Sequence, residues 1–539
     1  MALVQCSDDE AASPTVVLYR NVAAPTCPTP EEAPLPDGNM GFTCLRVGAD
    51  TAAAASSVPD MTGLPAPVVY VREAATGGDG SLERPLGALD AALARVAMGG
   101  TIALLRGTVT LDAPATLPSG VALIGVGPVG SAIEVTRGHG GLAAAPGAGG
   151  VIVRDLAVRY RPGTATPPDV AIAVSDGAIA SMQNVRIEGA FEGIVVDGTL
   201  DAERVSVLRA AANGVVVQGN GAGRFRSLLV REGLGQGVAA RPRVMGGPAG
   251  RIHITGGAIL DHRGRGIELT GAAATGRGAR ACTLDGPSSD AGDVDCLTRV
   301  SSQRNGVQAL IVRGARSVEV RRSSLSATHT NEGALDADGL ALTEGAQVSI
   351  DPEDRSMARL GRGTLFLANA RMGVLAQGGG VTLTLRGARV QSNASVGVWV
   401  ARGALVRAVS YARIDDNGAA GVAVTATASI EEVQCNGIAS TRARTIMTLT
   451  GESPMIGDGL TVANAAGDLR VDDNQFDHNA RAGAVFDRVA GQFTRNRGDG
   501  NQYGLSVVRS DTLVERMNER LRGTVADRTD RLTAVTSSP

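Results

Sequence analysis

Asn369-Ala370-Arg371-Met372-Gly373-Val374-Leu375-Ala376 returns 24 residues later as Asn393-Ala394-Ser395-Val396-Gly397-Val398-Trp399-Val400, and again as Asn417-Gly418-Ala419-Ala420-Gly421-Val422-Ala423-Val424. In every copy an Asn precedes a Gly by four residues, and the first and third residues after that Gly are apolar while the second varies. Alternation of this kind marks a strand with one buried face. Val374, Val398 and Val400 are therefore expected inside, and Leu375, Trp399 and Ala423 outside. The Asn suits a tight turn, because it tolerates the left-handed backbone and its amide can bond to the next Asn in a stack. With Asn479 before Gly483 as a fourth member at the same offset, the pattern predicts an asparagine ladder.

The Gly-centred motif extends well beyond these copies. It begins at Gly193, Gly214, Gly237, Gly266, Gly306, Gly339, Gly373, Gly397, Gly421, Gly459, Gly483 and Gly504. The closest spacings match a coil whose strands pair with those above and below at ~4.8 Å, and the wider ones leave room for loops. No helical pattern of useful length interrupts the series, so parallel strands must return by turns. The expected fold is an all-β solenoid, with Leu460 and Leu505 also in its core.

This repeat resembles that of the right-handed parallel β-helix proteins of the pectin-lyase-like superfamily. The lead-in is similar as well: Tyr70-Val71-Arg72, Gly77-Gly78-Asp79-Gly80, Arg84-Pro85, an Ala/Leu-rich stretch from Leu86 to Val96, then Gly99-Gly100-Thr101-Ile102. In that family these are an opening strand, a loop, a capping helix and a first rung, the helix covering an otherwise unpaired end of the coil. The resemblance thus implies a right-handed parallel β-helix with a short N-terminal capping helix. The chain would divide into a Pro/Ala-rich leader (1–66), the lead-in (67–110), the β-helix (111–511) and a C-terminal cap or tail (512–539). Such a resemblance speaks to architecture more than to chemistry.

Composition narrows the partners. Every one of the 51 strong cations is Arg, and with 54 acids the net charge is −3. No basic stripe is available for nucleic acid, and no Lys for nucleophilic or base catalysis. No run approaches the ~18 apolar residues of a membrane-spanning helix. Leu3-Val4-Gln5-Cys6 before Ser7-Asp8-Asp9 looks like the end of a bacterial lipoprotein signal, which makes Cys6 a lipidation candidate and the only link to a membrane. Gln5 departs from that pattern, and an arbitrary terminal Cys is the alternative. Cys27 with Cys44, and Cys282 with Cys296, could each close a loop contributing ~3 kcal/mol, favouring an oxidising compartment. Cys435 reads as a small buried hydrophobe. The expected location is the cell envelope or outside the cell, as an outer-membrane lipoprotein if Cys6 is lipidated.

Enzymes of the superfamily cleave or epimerise acidic polysaccharides, which directs attention to carboxylates, Arg and His on one outer face. Asp351-Pro352-Glu353-Asp354 is similar to the Asp-Pro-His-Asp motif of mannuronan epimerases, but Glu353 stands where the proton-moving His belongs. Gly138-His139-Gly140 and Asp415-Asp416 resemble polygalacturonase fragments in the wrong order, and both also read as turns. Asp336 and Asp338 alternate onto one face with Arg371 about a rung later, an arrangement in which calcium would be the cation and Arg the base. A solvated polar face explains the same residues. No other cofactor or metal is expected. Leu375, Trp399 and Ala423 form an outward apolar column, either a binding patch or a surface covered by a loop. With one Trp and five scattered Tyr, aromatic platforms for sugars are scarce. The expected function is that of a monomeric, non-catalytic envelope or secreted protein binding a polysaccharide or surface protein on its outer sheet faces. The alternative is a polysaccharide lyase, epimerase or hydrolase with a divergent site.

Overall fold

A Cβ placed on Gly214 would sit 2.6 Å from the carbonyl oxygen of Gly237 on the next rung, and one on Gly397 would sit 2.6 Å from that of Gly421. The same collision recurs at Gly193, Gly373, Gly459 and Gly483, and none of these glycines has a positive φ. Close approach of one strand to the next, rather than backbone torsion, therefore demands the glycine of the motif. In a computed structural model of the chain, residues 27–29, 32–36, 42–52, 56–96, 99–136, 140–161, 167, 169–272, 282, 294–326, 337–350, 363–425, 427–445, 455–518, 520–530 and 532 are described. The fold is a right-handed parallel β-helix with one short helix among the described residues. It comprises two compact units, one built on Thr43–Glu319 and the other on Val320–Pro539.

In the N-terminal unit the Gly-motif strands Glu192–Val196, Val215–Gln218, Val238–Arg241, Ile267–Thr270 and Leu310–Arg313 pair in parallel, with Ile194, Val215, Val238, Ile267 and Leu310 in one column. This register sets Ala309 opposite Gly266 and corrects the repeat count, because Gly306 falls in the turn before the strand. Ten-residue strands such as Thr199–Leu208 and Ala222–Arg231 complete each rung. Each bends at one left-handed residue, Arg204 or Ser227 in these two, which divides it between two further sheets. Inward Val205, Val207, Leu228 and Val230 are at most 1% exposed, and each such burial contributes roughly 1.5–3 kcal/mol. The helix Leu89–Arg95 buries Leu89 and Ala92 beside the opening strand Val68–Val71.

Two further features hold this unit. Arg316 and Asp295, both fully buried, form an ion pair in which Arg316 also donates to the carbonyls of Gly250 (2.6 Å) and Thr270 (3.2 Å), while Asp295 accepts from Ile252 N (2.8 Å). Pairing and full hydrogen bonding are what make such burial tolerable. The Cys282–Cys296 disulfide lies beside Asp295, and Cys27–Cys44 closes the other expected loop. The described part of the leader from residue 42 onward does not coil. Val47 packs on Leu229, Ala258 and Leu260, Gly48 N donates to Ser227 O (3.0 Å), Ala49 N to Ser206 Oγ (2.8 Å) and Asp50 N to Asn184 Oδ1 (2.6 Å). Farther along, Arg154 reaches Asp60 O (2.6 Å) and Thr101 reaches Pro65 O (2.7 Å). The segment is a strap that crosses the rungs in reverse order.

In the C-terminal unit Val374, Val398, Val400 and Leu460 are fully buried and Leu505 nearly so, as the alternation predicts. Parallel pairing continues past residue 511 through Leu513–Arg516 and Arg520–Thr529. Asn369 donates to Asn393 Oδ1 (2.8 Å) and Asn393 to Asn417 Oδ1 (2.9 Å), forming the expected ladder. Asn479 is not isolated from such stacking. Thr441 fills the rung before it, its N–H donating to Asn479 Oδ1 (3.3 Å), and Asn479 donates to Asn501 Oδ1 (3.0 Å). A second ladder, Asn436, Asn474, Asn496 and Asn518, occupies the other turn, with amide links of 2.9, 3.0 and 3.4 Å. Cys435, in the left-handed residue before Asn436, is disulfide-bonded. This corrects its reading as an unpaired hydrophobe; its partner lies outside the described residues, as does Cys6.

Candidate functional site

On the Gly-motif sheet of the N-terminal unit, the residues one before and two and four after each Gly point outward. The central column is apolar over three rungs, where Val195, Val216 and Ala239 cluster at 8%, 0% and 2% exposure, and it carries Glu268 on the next. Polar columns flank it: Glu192, Asn213, Gln236, Arg265 and Gln308 on one side, Asp197, Gln218 and Arg241 on the other. Side chains from these columns, together with Arg243, assemble into three units that each combine a carboxylate, an amide and a guanidinium. Glu192 accepts from Asn213 Nδ2 (3.0 Å) and faces Arg241 at 3.6 Å. Asp197 accepts from Gln218 Nε2 (3.3 Å) and faces Arg243 at 4.0 Å. Glu268 accepts from Gln236 Nε2 (3.1 Å) and from Arg265 (3.1 Å), whose Nε also donates to Gln308 Oε1 (2.8 Å).

The sequence places the carboxylate, amide and guanidinium of each unit within two rungs of one another, and a rung spacing of ~4.8 Å lets side chains of that length meet. Arg241 starts four residues after Gly237 and ends at Glu192, one residue before Gly193, so it crosses the apolar column over the intermediate rung of Val216. That crossing accounts for the burial of an outward Val. Partly exposed ion pairs of this kind add at most ~1 kcal/mol each. Their consequence is geometric, a row of donors and acceptors held in fixed positions. Sequence reasoning missed this face, although its signal was present: Glu192, Asn213, Gln236 and Arg265 each precede their Gly by one residue.

The residues singled out from sequence lie elsewhere. In the C-terminal unit Arg371 forms a two-pronged pair with the fully buried Asp338, through Nε at 2.7 Å and NH2, and Met372 N donates to the same carboxylate (3.3 Å). Asp458 and Arg481 repeat this arrangement, and burial raises the Asp458 carboxyl against the opposing pull of Arg481. Asp338 is thus locked into a fold-supporting pair. Asp336, Glu353 and His139 lie outside the described residues. Leu375, Trp399 and Ala423 do form one column, at 5%, 0% and 1% exposure, but Ile456 packs on them and the Trp399 indole donates to Thr425 Oγ1 (3.1 Å). Of the two expectations for this column, the geometry corresponds to the covered surface. Asp415 bonds Arg413, and burial raises its carboxyl while Arg413 and Arg389 lower it. Among the described residues no three His, Cys, Asp or Glu side chains converge as a metal site.

No family model matches this chain, and no curated protein does. It is similar to several solved β-helix structures. One is the catalytic domain of a GH87 α-1,3-glucanase in complex with nigerose, at 12% identity and a TM-score of 0.34 over 89% of this chain and 71% of that one. Another is the catalytic unit of the thermostable GH87 α-1,3-glucanase from Streptomyces thermodiastaticus strain HF3-3, at 14% and 0.30 over 92% and 72%. A third is the A-module of the Azotobacter vinelandii mannuronan C-5 epimerase AlgE4, at 15% and 0.26 over 82% and 94%. These likenesses concern the coiled architecture alone.

Proposed function

We propose that this chain is an extracytoplasmic polysaccharide-binding β-helix whose binding face is the polar Gly-motif sheet of the N-terminal unit. The observation that carries the reading is the row of three carboxylate–amide–guanidinium units. Each offers fixed acceptors beside fixed donors, which is what a run of sugar hydroxyls requires. Two disulfides among the described residues support an oxidising compartment, and no helix there is long and apolar enough to cross a membrane. Removing the amides while keeping the carboxylate–Arg pairs isolates the binding role. In affinity gels containing soluble polysaccharide, Asn213→Ala with Gln236→Ala should weaken retention by about thirtyfold, two hydrogen-bonding side chains at ~1 kcal/mol each. Undiminished retention of that variant would refute the assignment.

A second reading, cleavage, has one observation in its favour. Glu192 and Glu268 bond to Asn213 and Gln236, which stand on adjacent rungs, and a glycosidase acts through a pair of carboxylates. Release of reducing ends that disappears in both Glu192→Gln and Glu268→Gln would establish it; persistence in either variant would exclude this pair.

A further inference from the structure

We propose that the glycan this face takes is uncharged, an inference that rests on the polysaccharide reading above. The arginines of the three units are already committed. Arg241 is 3.6 Å from Glu192, Arg243 is 4.0 Å from Asp197 and Arg265 is 3.1 Å from Glu268. Each cation carries its own anion, so the units are electrically neutral and produce no net field to draw in a polyanion. A uronate carboxylate that approached Arg241 would also approach Glu192. To replace it, the uronate would have to strand a side chain that is only 19% exposed, and an ion left unpaired in such a place is costly.

A hydroxyl meets no such conflict. It can donate to a free lone pair of the carboxylate and accept from an amide or guanidinium N–H of the same unit, leaving the ion pair intact. The repetition matters too. Two units lie side by side over the rungs of Gly193 to Gly237 and the third continues over the rungs that follow, so one extended chain of similar sugars could meet the same chemistry more than once, each contact adding to the last.

The test uses the full chain in affinity gels of glycogen, laminarin and mannan on one side, and polygalacturonate and alginate on the other, at ~50 and ~500 mM NaCl. A neutral glycan is expected to retard the protein with less than about twofold change between the two salts, since no long-range charge attraction is being screened. The polyuronates are expected not to retard it at the higher salt. A variant carrying Glu192→Gln, Asp197→Asn and Glu268→Gln, nearly unchanged in shape, frees the three arginines and should gain salt-sensitive retention by polygalacturonate. Salt-resistant retention of the unaltered chain by a polyuronate alone overturns the neutral assignment while leaving a polysaccharide partner in place. Failure of the triple variant, shown folded by its circular dichroism, to gain polyuronate binding overturns the charge argument. Absence of retention in every gel overturns the polysaccharide reading itself, and this inference with it.

Discussion

His262 holds a ladder position usually suited to Asn. It stands four residues before Gly266, its N–H donates to Asn305 Oδ1 (3.2 Å), and its ring fills the hollow above Gly233, where a Cβ would lie 2.7 Å from Nδ1. Burial pushes its pKa down to about 4 from 6.5, outweighing the neighbouring charge of Asp261. A base whose folded pKa is depressed is protonated more readily when unfolded. The neutral ring's stabilising contribution is therefore complete above about pH 6.5 and is lost as the pH falls through about 4, at a cost of order 3 kcal/mol. His262→Asn should retain the ladder bond and flatten the acid limb of stability over that window, as urea melts at pH 7, 5.5 and 4 would show. An unchanged slope would mean that other groups control it. The asparagines give a second expectation at this scale. Asn393 and Asn479 each have a ladder neighbour on both sides and each also donates to a carbonyl, Phe366 O at 3.1 Å and Ile438 O at 3.3 Å respectively. Replacing either with Ala should cost a similar amount, roughly 2–4 kcal/mol from the lost bond and its stranded partners. A much smaller loss at Asn479 in denaturant melts would show that Thr441 does not serve as a rung. The sequence spacing alone instead ranks Asn393→Ala as more costly than Asn479→Ala, because a Thr is not recognisable as part of an Asn column.

Among the elements, the strap is the one the Gly periodicity could not reveal. Its attachment rests on Val47 within an apolar cluster and on backbone amides bonded to rung side chains and carbonyls, and none of these contacts repeats. Val47→Asp would press a charge against Leu229, Ala258 and Leu260. Hydrogen exchange at Gly48, Ala49 and Asp50 should then accelerate about 100-fold or more, with Val215 and Val238 in the rung strands unaffected. Equal acceleration throughout would show that the strap is integral to the coil rather than laid upon it. The same element-level logic covers Trp399. The hairpin pairing Arg444–Thr445 with Met455–Ile456 brings Ile456 onto an outward column, so a residue correctly assigned to the outside is nevertheless buried.

For the whole molecule, the coil was legible because its causes are local and repeated. Apolar alternation after each Gly assigns the inner face of a strand, and a fixed Asn-to-Gly offset assigns the turn, so the same short argument applies rung after rung. The collision of a Cβ with the next rung's carbonyl gives the physical reason for the Gly itself, yet Ala309 shows that one rung can dispense with it, so the nearby Gly306 imitates a motif that is not there. The disulfides Cys27–Cys44 and Cys282–Cys296 were legible for a similar reason, their partners being near in sequence, whereas nothing near Cys435 betrayed its bond. The state of the outer faces is another matter. Whether Leu375 and Trp399 meet solvent, whether Asp338 is free or held by Arg371, and whether Glu192, Asn213 and Arg241 meet at all depend on residues a rung or more away, and on loops whose lengths follow no period. The inside follows from the local pattern, because packing between near-identical neighbours allows few solutions; the outside is settled by long-range contacts made once each.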